Sequence, residues 1–131
     1  GEPVMMSDLL RALGTISQQP LADEQLRELT ALRDRAEPGT AARLRTTYNL
    51  GERLAGYGRH ADAVRVFRSA VDEAAAAHDG KVPAVANDLL LALVSAHEAL
   101  NEADKAEAAL QAVAAKPAGP GQAAWAADQL G

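Results

Sequence analysis

The sequence predicts an all-α fold, with three antiparallel helix pairs and a C-terminal capping helix in one domain spanning 1–131. Three observations point there. Apolar residues recur with helical periodicity, and no alternating strand pattern competes with it. Turn signals cut the chain at near-regular intervals. Small and bulky residues then return at matching offsets, with Ala22, Ala63 and Ala106 standing 41 and 43 residues apart. A chain of 131 residues holds one substantial core but not comfortably two.

The breaks fall at Gln19-Pro20, Glu37-Pro38-Gly39, Gly56-Tyr57-Gly58, Asp79-Gly80, Asn101 and Pro117-Ala118-Gly119-Pro120-Gly121. They leave helices at about 4–17, 20–36, 40–57, 60–79, 82–100, 103–115 and 121–130. Pro20 suits a first helical turn, and Asp23 and Glu24 follow where the helix dipole favours negative charge. Thr40 is an N-cap candidate, because its hydroxyl can accept from a backbone N–H of the first turn. The pairs are then 3–36, a degenerate first unit, followed by 40–79 and 82–115. Residues 121–130 form the cap, since an open stack exposes the apolar face of its last helix. Trp125 sits among alanines there, placed either to close the core or to stand exposed as an interface anchor. The run Leu89-Leu90-Leu91 followed by Leu93-Val94 wraps most of its helix, so that helix is expected to be covered on several sides.

The clearest unit reads Leu50-Gly51, Leu54, Gly58, Ala63, Phe67 and Ala70. Small residues at 51 and 63 permit two helices to approach closely, and Phe67 fills the space between one hairpin and the next. The offsets recur on both sides. Leu9, Leu50 and Leu93 correspond, as do Leu13, Leu54 and His97; Leu26, Phe67 and Leu110; and Leu29, Ala70 and Val113. This pattern resembles the tetratricopeptide repeat, strongly over 44–78, less so over 87–115 and weakly over 3–36. The usual period is about 34 residues. The longer spacing, with Pro83-x-Val85-Ala86-x2-Leu89, resembles the kinesin-light-chain-like branch. The resemblance implies a right-handed superhelical solenoid whose first helices of each pair line a concave groove.

Counting from the repeat motif, the resemblance assigns groove positions to Arg45, Tyr48, Asn49, Glu52 and Ala55 in the second pair. In the third pair they are Asp88, Leu91, Ala92, Ser95 and Glu98, and in the first pair Val4, Ser7, Asp8, Arg11 and Gly14. The expected partner-binding residues are Arg11, Arg45, Tyr48, Asn49, Glu52, Asp88, Leu91 and Ser95. They mix polar contacts around Tyr48 and Asn49 with an apolar pocket near Leu91. Chaperone-binding members of the family grip a terminal carboxylate with a Lys/Asn/Arg clamp. Asn49 matches its asparagine, but Asp88, Ala92, Ser7 and Arg11 stand where the other members would be. A chaperone tail is therefore not the expected ligand.

Other function classes find little support. Cysteine is absent, which removes disulfides, thiolate nucleophiles and thiolate zinc sites. His60, His78 and His97 form no i, i+4 pair, so the HExxH pattern is missing. No nucleophile elbow appears, and Gly56-Tyr57-Gly58 reads as a helix–helix turn rather than a phosphate loop. The sequence thus predicts no enzyme, metal or cofactor. Net charge is −5. The segment 44–86 carries six basic against five acidic residues, so no nucleic-acid partner is expected. No apolar run reaches membrane-span length, and no basic-then-apolar leader is visible. With cysteine absent, the expected location is the cytoplasm. The Ala/Arg/Asp/Gly-rich composition resembles that of a GC-rich bacterial genome. The expected function is binding of a peptide or partner protein in the groove. The alternatives are a homo-oligomerising structural module, for instance a homodimer, and a regulatory or sensor domain of a larger bacterial protein that packs on a neighbouring domain.

Overall fold

A computed structural model describes residues 22–131. The expected helix 4–17 lies outside the described residues. Six helices follow one another within them: α1 (22–35), α2 (Ala41–Gly56), α3 (His60–Ala76), α4 (Asn87–Ala99), α5 (Ala103–Ala115) and α6 (Pro120–Leu130), with a 3₁₀ turn, Ala84–Ala86, leading into α4. No strand occurs among the described residues. From α2 to α6 each helix packs on the next, and α2 also reaches past α3 to touch α4.

Local chemistry explains the ends of α2. The Thr40 hydroxyl accepts from the Arg43 N–H at 3.2 Å, the N-cap the sequence predicts. At the other end Gly58 takes a left-handed backbone with φ +79. Its N–H donates to the Ala55 carbonyl at 3.0 Å, and the Arg59 N–H to the Leu54 carbonyl at 2.9 Å. This double closure satisfies carbonyls the helix leaves orphaned. The end of α4 repeats it 43 residues later. Asn101 has φ 60, its N–H donates to Glu98, and the Glu102 N–H donates to His97 at 2.8 Å. Asparagine is the residue after glycine that tolerates this conformation best.

Differences from the expected boundaries have local causes. The alanine-rich end of α3 keeps helical propensity past Ala76, but Asp79 and Gly80 both adopt positive φ and turn the chain out. Pro83 is extended at φ −69, ψ 152, so α4 is entered through the 3₁₀ turn rather than as one helix from 82. α6 begins one residue early because Pro120 occupies its first turn, where its missing N–H costs nothing.

The core runs along the inward stripes of these helices. Leu44, Leu50 and Leu54 of α2 meet Ala63, Phe67, Ala70, Val71 and Ala74 of α3. Leu89, Leu90, Leu93 and Ala96 of α4 continue it to Ala109, Leu110 and Val113 of α5, with Ala126 of α6 buried at the far end. Trp125 is half-buried and packs on this core. α6 is also tied down by Gln122, a buried polar residue that no motif or spacing marks out. Its amide donates to the Val82 carbonyl at 2.8 Å and to Asn87 Oδ1 at 3.0 Å, and its oxygen accepts from the Ala118 N–H at 2.7 Å. Each buried polar atom of the side chain thus has a partner, as burial demands.

Two contacts fix the direction of the α2–α3 hairpin. Gly51 lies under the Phe67 ring, and further from the turn Arg43 grips Glu73, so the helices run antiparallel. Arg43 donates from Nε to Glu73 Oε2 at 3.1 Å and from Nη2 to Oε1 at 2.9 Å. Its Nη1 donates to the carbonyls of Arg33 at 2.8 Å and Ala36 at 3.3 Å, at the end of α1. One guanidinium therefore joins three helices, and it sits where a helix C-terminus favours positive charge. Arg43→Ala is expected to lower stability by about 2–3 kcal/mol, the scale of charge-assisted hydrogen bonds lost from a mostly buried group. Arg43→Lys, which keeps the charge but not the fork, should recover less than half. Urea midpoints at constant slope check both.

Candidate functional site

On α2, Arg45 and Tyr48 stand three residues apart and so share one side of the helix. The extended Pro83 and the 3₁₀ turn bring Val85, Asp88 and Leu89 up to that same side. Between them lies an open cleft of about 240 Å³. Leu44 and Leu89 give it an apolar floor, Arg45 and Tyr48 form the α2 wall, and Val85 and Asp88 form the α4 wall. Val85 is 66% exposed, an uncovered aliphatic group at the rim. Residues 40 and more apart in sequence thus converge because α2 packs directly on α4.

Tyr48 is half-buried and positioned from behind. Its ring meets Phe67 with centroids 6.4 Å apart and planes tilted by 46°, an arrangement aromatic pairs favour. The Glu52 carboxylate one turn on raises the Tyr48 phenol above its ordinary value, with burial and Asp88 adding to the rise. The hydroxyl therefore remains a proton donor at neutral pH.

The remaining expected residues do not all join this cleft. Asn49 and Glu52 are exposed and line a neighbouring hollow of about 540 Å³ with Leu29, Arg53, Gly56 and Tyr57. Tyr57 closes one side of it by donating its hydroxyl to Gln25 Oε1 at 2.7 Å. Leu91 is half-buried and Ser95 exposed on α4, but the cleft's apolar lining comes from Leu44, Val85 and Leu89 rather than from Leu91. Ala92, a groove position by the repeat count, is buried at 8% exposure. Arg11 lies outside the described residues.

No protein-family model, curated protein or solved structure matches the chain.

The histidines are separated in the fold. His97 is buried, and its Nδ1 stands 3.1 Å from Glu102 Oε1 across the α4–α5 turn. Lys105, hydrogen-bonded to the same carboxylate, and then His97 hold Glu102 below the usual carboxylate range. His78 Nδ1 lies 2.8 Å from the Ala74 carbonyl near the end of α3. Among the described residues no group of three or more His, Asp or Glu side chains could hold a metal ion. None of their helices is long and apolar enough to cross a membrane.

The residues the sequence reading missed are the apolar ones. Val85 belongs to the quoted Pro-x-Val-Ala segment, but a spacer between helices gives no sign that its aliphatic group stays uncovered. The signal was Pro83 itself, which holds the chain extended just before α4 and exposes the following turn.

Proposed function

We propose that this chain is a protein-interaction module built as a tetratricopeptide-like solenoid, which holds an extended segment of a partner protein in the cleft between α2 and α4. The observation that carries the reading is the meeting of Arg45, Tyr48 and Asp88 around an apolar floor. These are positions two and five of one repeat unit and position two of the next, so the offset that defines the repeat also assembles the cleft. The double closure at Gly58 and Asn101, 43 residues apart, supports the same stacking. Tyrosine and arginine are among the residue types that dominate binding energy at interfaces. The cleft offers a guanidinium, a phenol and a carboxylate for positioning a backbone and its side chains, and the reading assigns it no reaction.

A photo-crosslinking residue at position 48 should capture a discrete partner in cells of the source organism. The same residue at Arg68, on α3, should not. Against the purified partner, the double variant Arg45→Ala/Tyr48→Ala should bind at least about tenfold more weakly, a loss of roughly 1.4 kcal/mol or more. Helix content should be unchanged. Asn49→Ala, which alters the neighbouring hollow, should have little effect. Equal affinity for the double variant and the parent chain rules the cleft out as the binding site.

A further inference from the structure

The cleft is electrically polarised, and its two charges have no partners among the described residues. Arg45 and Asp88 are both exposed and stand on opposite walls. Neither joins the ion pairs that the neighbouring charges form: Arg43 with Glu73, Arg59 and Arg65 with Asp62, and Lys105 with Glu102. Arg43, only two residues from Arg45, is fully engaged. Arg45 also does not reach across to Asp88. The floor between them is aliphatic, from Leu44 and Leu89, with Val85 at the rim.

On the strength of the cleft reading above, we propose that the preferred occupant is an extended peptide that is itself dipolar, carrying an acidic and a basic residue on either side of an aliphatic one. The acidic side chain meets Arg45, where a guanidinium can grip a carboxylate with two parallel hydrogen bonds. The basic side chain meets Asp88. The aliphatic group enters the Leu44–Leu89 floor. The extended form is assigned because a helix engages its own backbone carbonyls, whereas an extended stretch leaves them free for donors on the cleft walls. The Tyr48 hydroxyl, a donor at neutral pH, lines the same cleft and can hold a backbone carbonyl. Because the two wall charges differ in sign, a like-charged peptide gains at one wall and is repelled at the other. Such juxtapositions act mainly on specificity.

The test uses the full chain and synthetic nonapeptides with a central leucine. The flanking positions carry Asp and Lys in all four arrangements, and fluorescence anisotropy reads the binding. One of the two dipolar orders should bind about tenfold or more tightly than either like-charged peptide. The double reversal Arg45→Asp/Asp88→Arg should transfer the preference to the opposite dipolar order. Tyr48→Ala should weaken all four. If like-charged peptides bind as well as dipolar ones, or the reversal leaves the order unchanged, while Tyr48→Ala still weakens binding, the dipolar inference fails and the cleft remains the binding site. If Tyr48→Ala has no effect, or no peptide binds more tightly than about 1 mM, the cleft reading fails with it.

Discussion

Phe67→Ala should lower stability by about 3–5 kcal/mol, the range for removing a large aromatic from a packed core. For a chain of this length that corresponds to a fall in melting temperature on the order of 15 °C. The ring is 0% exposed and is among the largest fully buried side chains of the described residues. It rests on Gly51 of its own hairpin, and its helix carries the contacts to α4, so its space cannot close without moving one helix against another. The consequence extends to the cleft. Tyr48 leans on this ring, and its removal should also loosen the α2 wall and weaken partner binding at temperatures where the chain remains folded. Calorimetry supplies the first number and partner titration the second. A change below about 1 kcal/mol would mean that Phe67 is not a close-packed part of this core.

Two opposed terms decide the sign of the effect of Gly51→Ala. Alanine is the better helix former by about 1 kcal/mol, which would stabilise an exposed position. Here a Cβ would fall 2.2 Å from Phe67 Cε1 and 2.5 Å from its Cζ, a distance no real contact tolerates. The ring is enclosed and cannot swing aside, so α2 and α3 must separate. Overpacking of this kind costs about 1–3 kcal/mol and occasionally more. The expected net result is a loss of about 1–2 kcal/mol. A rise in stability would show that the two helices have room to part.

Much of the helical framework was legible because the turn chemistry is local. Thr40, Gly58 and Asn101 each announce a helix end through their own backbone or side-chain preferences, and each stands where the structure puts an end. Gly51, Ala63 and Phe67 were legible as the small and large residues of a close helix pair, but the seat of the Phe67 ring on Gly51 was not, since the repeat pattern places Phe67 between one hairpin and the next. The long-range polar ties were not legible. Arg43 one turn into a helix reads as a solvated cation, and its partner Glu73 lies 30 residues away. Gln122 reads as a surface residue of a terminal helix, although its partners at Val82 and Asn87 bury it. The cleft was legible in part. Counting repeat positions found Arg45, Tyr48 and Asp88, but it treated the face of α2 as one continuous strip. Asn49 and Glu52 instead line the hollow they share with Leu29 of α1. That division depends on where neighbouring helices sit, which sequence spacing does not encode.

The packing of α2 on α3 through Gly51 and Phe67 supports both the core and the cleft, and a double-mutant cycle tests it most directly. Stabilities of the parent chain, Gly51→Ala, Phe67→Ala and the double variant should be measured by urea unfolding. With the ring gone, the alanine methyl has space and its helix propensity acts alone. Gly51→Ala should therefore turn from destabilising to neutral or stabilising, with a coupling of about 2 kcal/mol between the sites. Additive effects, within about 0.5 kcal/mol, would mean that the two residues do not touch and that the helices are not stacked as described.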